Sequence, residues 1–138
     1  MLTLGYLSKF PAKFKERENS IKDIVFNNIS TSIDENGVIN IKASTSKYTQ
    51  EIEVYNSKNI YLKSECKVFC SCESFKYEFA NSIFKSGSLL KPISFIRSII
   101  KRPKERNEFN IPSGCKHIVA LTRIILKTKI DTKKENNP

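Results

Sequence analysis

The chain contains no tryptophan, one methionine, one histidine and four glycines among 138 residues. Each scarcity excludes something. The glycines form no phosphate-cradling loop, so a nucleotide-binding P-loop or dinucleotide turn is not encoded. No apolar run approaches the roughly 18 residues that a bilayer-spanning helix needs. The first residues, MLTLGYLSKFPAKFKERE, lack the uninterrupted apolar stretch and small-residue cleavage site of a secretory signal. The expected location is therefore the cytoplasm. No internal repeat is visible.

What is present supports one domain with short extensions. Fourteen aromatics (nine Phe, five Tyr) and a hydrophobic share of 39% suffice for a modest core. Four cysteines in an intracellular chain point to thiolates with a chemical role, not to a disulfide framework. A metal can also supply stability that a small core lacks. The net charge of +10 is uneven: residues 1–56 hold seven basic and seven acidic residues, and residues 57–138 hold 17 and 7. Such asymmetry suggests an anionic partner for the second half. The competing reading is compositional, because 19 of the 24 basic residues are Lys in a chain rich in Ile and Asn, as an AT-rich genome produces.

Periodicity predicts an α+β fold, a small antiparallel sheet with a hairpin followed by helices. Residues 1–17 read as an irregular arm broken by Pro11, docking on the protein's own body or on a partner subunit. Ser20 is placed to cap a short helix presenting Ile21, Ile24 and Val25. ISTSIDENGVINIKAS alternates around Asn36-Gly37, a hairpin signal. Strands are expected at Tyr48–Tyr55, with Tyr48, Ile52 and Val54 on one face, at Ile60–Leu62, and at Cys66–Cys70. After Cys72 the period changes from 2 to 3.6. Phe75, Phe79, Ala80, Ile83 and Phe84 share a helical face that stops near Gly87, and Phe95, Ile96, Ile99 and Ile100 repeat the pattern up to Pro103. KRPKERNEFNIPSG reads as a charged loop. A last helix is expected from Lys116 to Lys127, with Ile118, Leu121, Thr122 and Ile125 inward. The organisation is thus an arm (1–17), one α+β domain (18–128) and a polar tail (129–138).

The chemistry concentrates in Cys70, Cys72, Cys115 and His117. Zinc takes four soft or borderline ligands in a tetrahedron. Residues i and i+2 on an extended segment project from one face, so Cys70 and Cys72 can grip one ion. Cys115 and His117 repeat the spacing where a helix begins. Two positions apart on a helix point roughly 200° from each other, which requires Cys115 at the cap and His117 in the first turn. Three thiolates and one imidazole around Zn²⁺ leave a formal charge of −1, which Lys67 and Lys116 are placed to offset. Cys66 lies on the same strand face as Cys70. It is either a competing ligand or, more simply, a buried free cysteine. Iron is the alternative occupant of the site.

The motif Cys70-Ser71-Cys72 … Cys115-Lys116-His117 resembles the SWIM zinc finger, C-x-C then C-x-H, with a strand before the first pair and a helix after the second. The resemblance covers residues 48–128. More narrowly, VFCSCESFKYEFAN…PSGCKHIVAL is similar to small SWIM-like proteins of bacteriophages. The 42 residues between Cys72 and Cys115 exceed the usual SWIM spacer. The resemblance implies binding to DNA or to protein, not catalysis. Consistent with that, a zinc-held His117 leaves no histidine for acid–base work, and the zinc-deaminase signature is absent.

Two basic groups are candidate phosphate contacts: Arg97, Lys101, Arg102, Lys104 and Arg106, opposed only by Glu105, and the helical stripe Lys116, Arg123 and Lys127. Phe109 and Tyr77 are candidates for stacking on bases, with core packing as the other reading. The expected partner is nucleic acid, DNA foremost. The rival is a protein of a phage assembly, making the chain a virion component. Neither a membrane nor a small-molecule substrate is expected.

Overall fold

Alternation in two consecutive segments produces the first two strands. In the computed structural model, which describes residues 1–55, 60, 62–90, 107 and 109–135 with side chains to Thr128, β1 (Asn28–Ile33) and β2 (Ile39–Ser44) form an antiparallel hairpin. The turn is Asp34–Gly37. Gly37 adopts φ 79°, and the Asp34 carboxylate accepts the backbone N–H groups of Asn36 and Val38 at 2.8 and 3.0 Å. Strands β3 (Thr49–Val54) and β4 (Cys66–Cys70) complete an antiparallel meander in the order β1-β2-β3-β4. Ile39, Ile41 and Ala43 of β2, Ile52 and Val54 of β3, and Cys66, Val68 and Cys70 of β4 are all buried. On the other face, Lys42 stands opposite Glu51 and Glu53 opposite Lys67, which favours this register.

The two sheet edges are finished differently. Beside β4, residues 88–90 add a parallel bridge, with Val68 donating to the Ser88 carbonyl at 2.7 Å and Leu90 donating to the Val68 carbonyl at 3.1 Å. The N-terminal arm closes the approach to β4. Leu4 and Gly5 donate to the carbonyls of Ser64 and Leu62 at 2.9 and 2.8 Å, and Cys66 donates to that of Leu2 at 3.0 Å. A Cβ on Gly5 would sit 2.8 Å from the Leu62 oxygen, so only glycine allows that approach. Among the described residues, the outer side of β1 carries no strand.

The arm therefore docks on its own chain. Its short helix α1 (Leu4–Leu7) buries Leu4 and Leu7, and the following 3₁₀ segment (Ala12–Asp23) buries Phe14 edge-on against Phe79, ring centroids 5.1 Å apart. A buried side chain of this size contributes roughly 2–3 kcal/mol. Ser20 caps no separate helix. It lies within the 3₁₀ segment and donates to the Arg17 carbonyl, while Val25 is exposed. Leu62 lies in a turn, not a strand.

After Cys72 the chain makes one π-helical turn (Phe75–Phe79) and then α2 (Ala80–Lys85). Phe75, Phe79, Ala80 and Ile83 face the core as expected, but Phe84 is exposed. The wider π turn rotates the following residues relative to a uniform 3.6 period. Gly87, at φ 77°, ends α2 with Ser88 donating to Ile83 and Gly87 to Phe84, both 2.9 Å. The last helix, α3, spans Lys116–Glu135, longer than predicted, and buries Ile118, Leu121, Thr122 and Ile125. The predicted helix around Phe95–Ile100 lies outside the described residues. No helix among the described residues is long and apolar enough to cross a membrane.

Candidate metal centre

The centre forms where β4 ends and α3 begins. Cys70 is the last residue of β4, and Ser71 is clipped to the start of β3: its hydroxyl accepts from Thr49 N–H at 2.9 Å and its N–H donates to the Thr49 carbonyl at 3.0 Å. Cys72 is thereby held beside Cys70. At the other end the Cys115 carbonyl accepts the first helical bond of α3, from Val119 at 2.9 Å, so Cys115 caps the helix and His117 sits in its first turn. A Cβ at Gly114 would meet Ile118 at 2.9 Å, which explains the glycine before Cys115.

The loop leading there is held by Asn107, fully buried. Its amide N–H group donates to the carbonyls of Glu78 and Ile111 at 2.8 and 2.9 Å, and its oxygen accepts from Ile111 N–H at 2.8 Å. The Tyr6 hydroxyl donates to the Pro112 carbonyl at 2.5 Å. Protein contacts thus brace the segments that carry both residue pairs.

The three Sγ atoms and one His117 ring nitrogen lie within 4.8 Å of one another, and all four residues are buried. Cys70 Sγ and His117 Nδ1 are 3.7 Å apart. With Zn–S about 2.3 Å and Zn–N about 2.0–2.1 Å, the edges of a tetrahedron come to roughly 3.6–3.8 Å. The cluster has the size and donor set of such a site, and these four residues can hold a metal ion.

The electrostatics agree. Burial, with the sulfurs of Cys70 and Cys72 beside it, pushes the Cys115 thiol far above its ordinary range. Hydrogen bonds from Cys115 and then Cys70 pull Cys72 well below that range. Three buried thiols this close resist ionising together, a cost that a bound cation would offset. Two N–H groups already point at the sulfurs, Phe75 N–H to Cys72 at 3.4 Å and the Gln50 amide to Cys70 at 3.6 Å.

Gln50 escapes a reading based on hydrophobic residues. It stands opposite Cys70 in the register and is fully buried between strands that are otherwise apolar inside. Its signal was a polar residue in phase with Ile52 and Val54. Tyr48, two residues earlier, instead packs a tilted ring 5.4 Å from His117. Cys66 is no ligand in this cluster. Four residue steps along the strand separate it from Cys70, about 13 Å. Its thiol faces the Leu2 carbonyl at 3.8 Å, and burial pushes it up to about 12.

The basic candidates divide. Arg97, Lys101, Arg102, Lys104 and Arg106 lie outside the described residues. On α3, Lys116 and Lys127 are exposed, with Lys116 and His117 bordering a cleft of about 690 Å³. Arg123 is engaged within the chain: its guanidinium grips Glu18 through two bonds of 2.5 and 2.7 Å and donates to the Ser8 carbonyl at 2.7 Å. Phe109 is 75% exposed with the Lys13 ammonium 5.3 Å over its ring, and Tyr77 is 52% exposed, so neither is a core residue. In comparisons with protein families, curated proteins and solved structures, the chain matches none.

Proposed function

We propose that this chain is a zinc-stabilised, non-catalytic module of the SWIM type that binds nucleic acid, DNA foremost, through its basic C-terminal half. The observation that carries the reading is the buried Cys70–Cys72–Cys115–His117 tetrad. Four protein ligands complete a tetrahedron and leave no coordination position for substrate, the arrangement of structural zinc. Bound there, zinc would supply a fixed cross-link between the end of β4 and the start of α3. Residues 57–138 carry the whole +10 charge, and exposed Lys116 adjoins the centre. Exposed Phe109 offers a ring of the kind on which bases stack.

The test is a nucleic-acid titration at several salt concentrations on protein shown to contain one zinc per chain. Affinity should fall linearly in log–log form, by roughly 0.7–0.9 per phosphate contact. Changing Arg97, Lys101 and Arg102 together to Gln should flatten that slope by about two to three units and leave the zinc in place. Wild-type protein with no salt-sensitive affinity for DNA or RNA would remove the proposal.

A second reading, a phage assembly protein whose zinc serves stability alone, is favoured by one observation: among the described residues, the sheet ends in an open edge at β1.

A further inference from the structure

We infer that β1 is the contact strand of a two-fold homodimer, in which the β1 strands of two copies pair antiparallel and join two sheets into one of eight strands. The inference is independent of the zinc and nucleic-acid readings. It begins with the edge itself. Among the described residues β1 pairs only with β2, and all six of its residues are exposed. Ile29, Thr31 and Ile33 stand opposite Ala43, Ile41 and Ile39, so they lie on the core-facing side of the sheet. Yet Ile29 is 41% and Ile33 67% exposed, whereas Ile39 and Ile41 are buried. The apolar face of the sheet runs on past its covered part and stops in water.

Edge strands of monomeric proteins are usually protected by charge, proline or a bulge. This one has none of them. Its six residues pair one-to-one with β2, and residues 24–33 contain no charged side chain and no proline, in a chain that is 28% charged.

The sequence identifies the occupant. Residues 29–33 read Ile-Ser-Thr-Ser-Ile, the same in both directions about Thr31. A two-fold interface requires that residue i meet j while j meets i. With the axis at Thr31, Ile29 of each copy faces Ile33 of the other, Ser30 faces Ser32, and Thr31 faces Thr31. Directly opposed residues share a face, so this register keeps both core sides on the same side of the joined sheet. A one-residue slip would put isoleucine opposite serine and turn one core face outward. Ile–Ile and Thr–Thr pairs are also favourable cross-strand partners.

Charge fits the same partner. Residues 1–56 balance seven basic against seven acidic side chains, while the net charge sits in residues 57–138. Helix α3 contacts β4, at the opposite edge of the sheet, so pairing through β1 joins neutral edges. One strand pair buries less than the roughly 1,200 Å² of a standard interface, so the dimer should be weak and reversible.

The experiment measures mass in solution for the full metal-loaded chain, by sedimentation and light scattering, from micromolar to near-millimolar concentration. The mass should rise from one chain to two and stop there. Thr31→Lys, which sets two ammonium groups face to face on the axis, should stay monomeric with unchanged circular dichroism and metal content. Thr31→Cys should form a disulfide-linked dimer in air, whereas Ser32→Cys, opposite Ser30, should cross-link far less. A wild-type protein that stays monomeric, as a chain reserving this edge for a foreign strand would, overturns the inference. So does a dimer that survives Thr31→Lys, or stronger cross-linking at position 32 than at 31.

Discussion

The metal end and the hairpin edge of the sheet invert the usual rule for burial. Around Cys70, polar and ionisable groups (three thiols, an imidazole and the Gln50 amide) are buried together. At β1, isoleucines on the core side of the sheet stand in water. Buried polar groups are costly unless partnered, and exposed apolar ones gain stability only when covered. On the readings proposed above, a cation would partner the first region and a second copy of the chain would cover the other.

The comparison is broken most strongly at the metal end. Cys115→Ala or excess chelator should abolish metal binding, from one ion per chain to none by elemental analysis. Thermal stability should fall by several kcal/mol, a part of the roughly 10–16 kcal/mol measured for zinc in small finger peptides, because this domain also has a core. Cys66→Ser should keep the ion. Ile33→Ser at the other end should change the monomer's stability by no more than about 0.5 kcal/mol. Equal melting shifts for Cys115→Ala and Ile33→Ser would erase the distinction.

A smaller effect sharpens it. Gln50→Ala removes a donor to Cys70 without touching a ligand, and outer partners of this kind typically alter metal affinity about 10–100-fold. Competition with a coloured chelator should show weakened binding at unchanged stoichiometry. Unaltered affinity would make Gln50 a spacer between strands.

The smallest effect belongs to Glu18–Arg123, which ties the 3₁₀ segment to α3 at the surface. Hydrogen bonding from Arg123 holds the Glu18 carboxyl below its ordinary pKa. A depressed folded-state pKa stabilises above the unfolded value, and that stabilisation is lost as pH falls through the folded one. A double-mutant cycle with Glu18→Gln and Arg123→Gln should give a coupling under about 1 kcal/mol at neutral pH, shrinking with added salt. The coupling should vanish in acid below the ordinary carboxylate range. A coupling that persists there would assign the contact to packing.

Much of the architecture was legible because it is local. Alternation around Asn36-Gly37 announced the hairpin, the 3.6 period announced the buried face of α3, and the paired spacings announced the four residues that cluster at its start. Failures arose where a distant partner decides. Nothing local in Leu4-Gly5 says that their N–H groups serve Ser64 and Leu62, or that residues 88–90 cover β4. Phe84 was misplaced because a π turn leaves no signature in an otherwise helical pattern. Arg123 reads as a free cation in a basic stripe until Glu18, 105 positions away, is seen beneath it. Gln50 was passed over because polarity inside a strand looks like interruption unless its opposite number is known.

The Asn107 amide has a consequence for how this chain can vary. Leu90 is fixed to Val68, and Asn107 to Glu78 and Ile111. Asn107 grips Ile111 through both its N–H and its carbonyl, four residues before Cys115. A substitution at position 107 would therefore release both groups at once, and with them the start of the segment that aims Cys115 and His117.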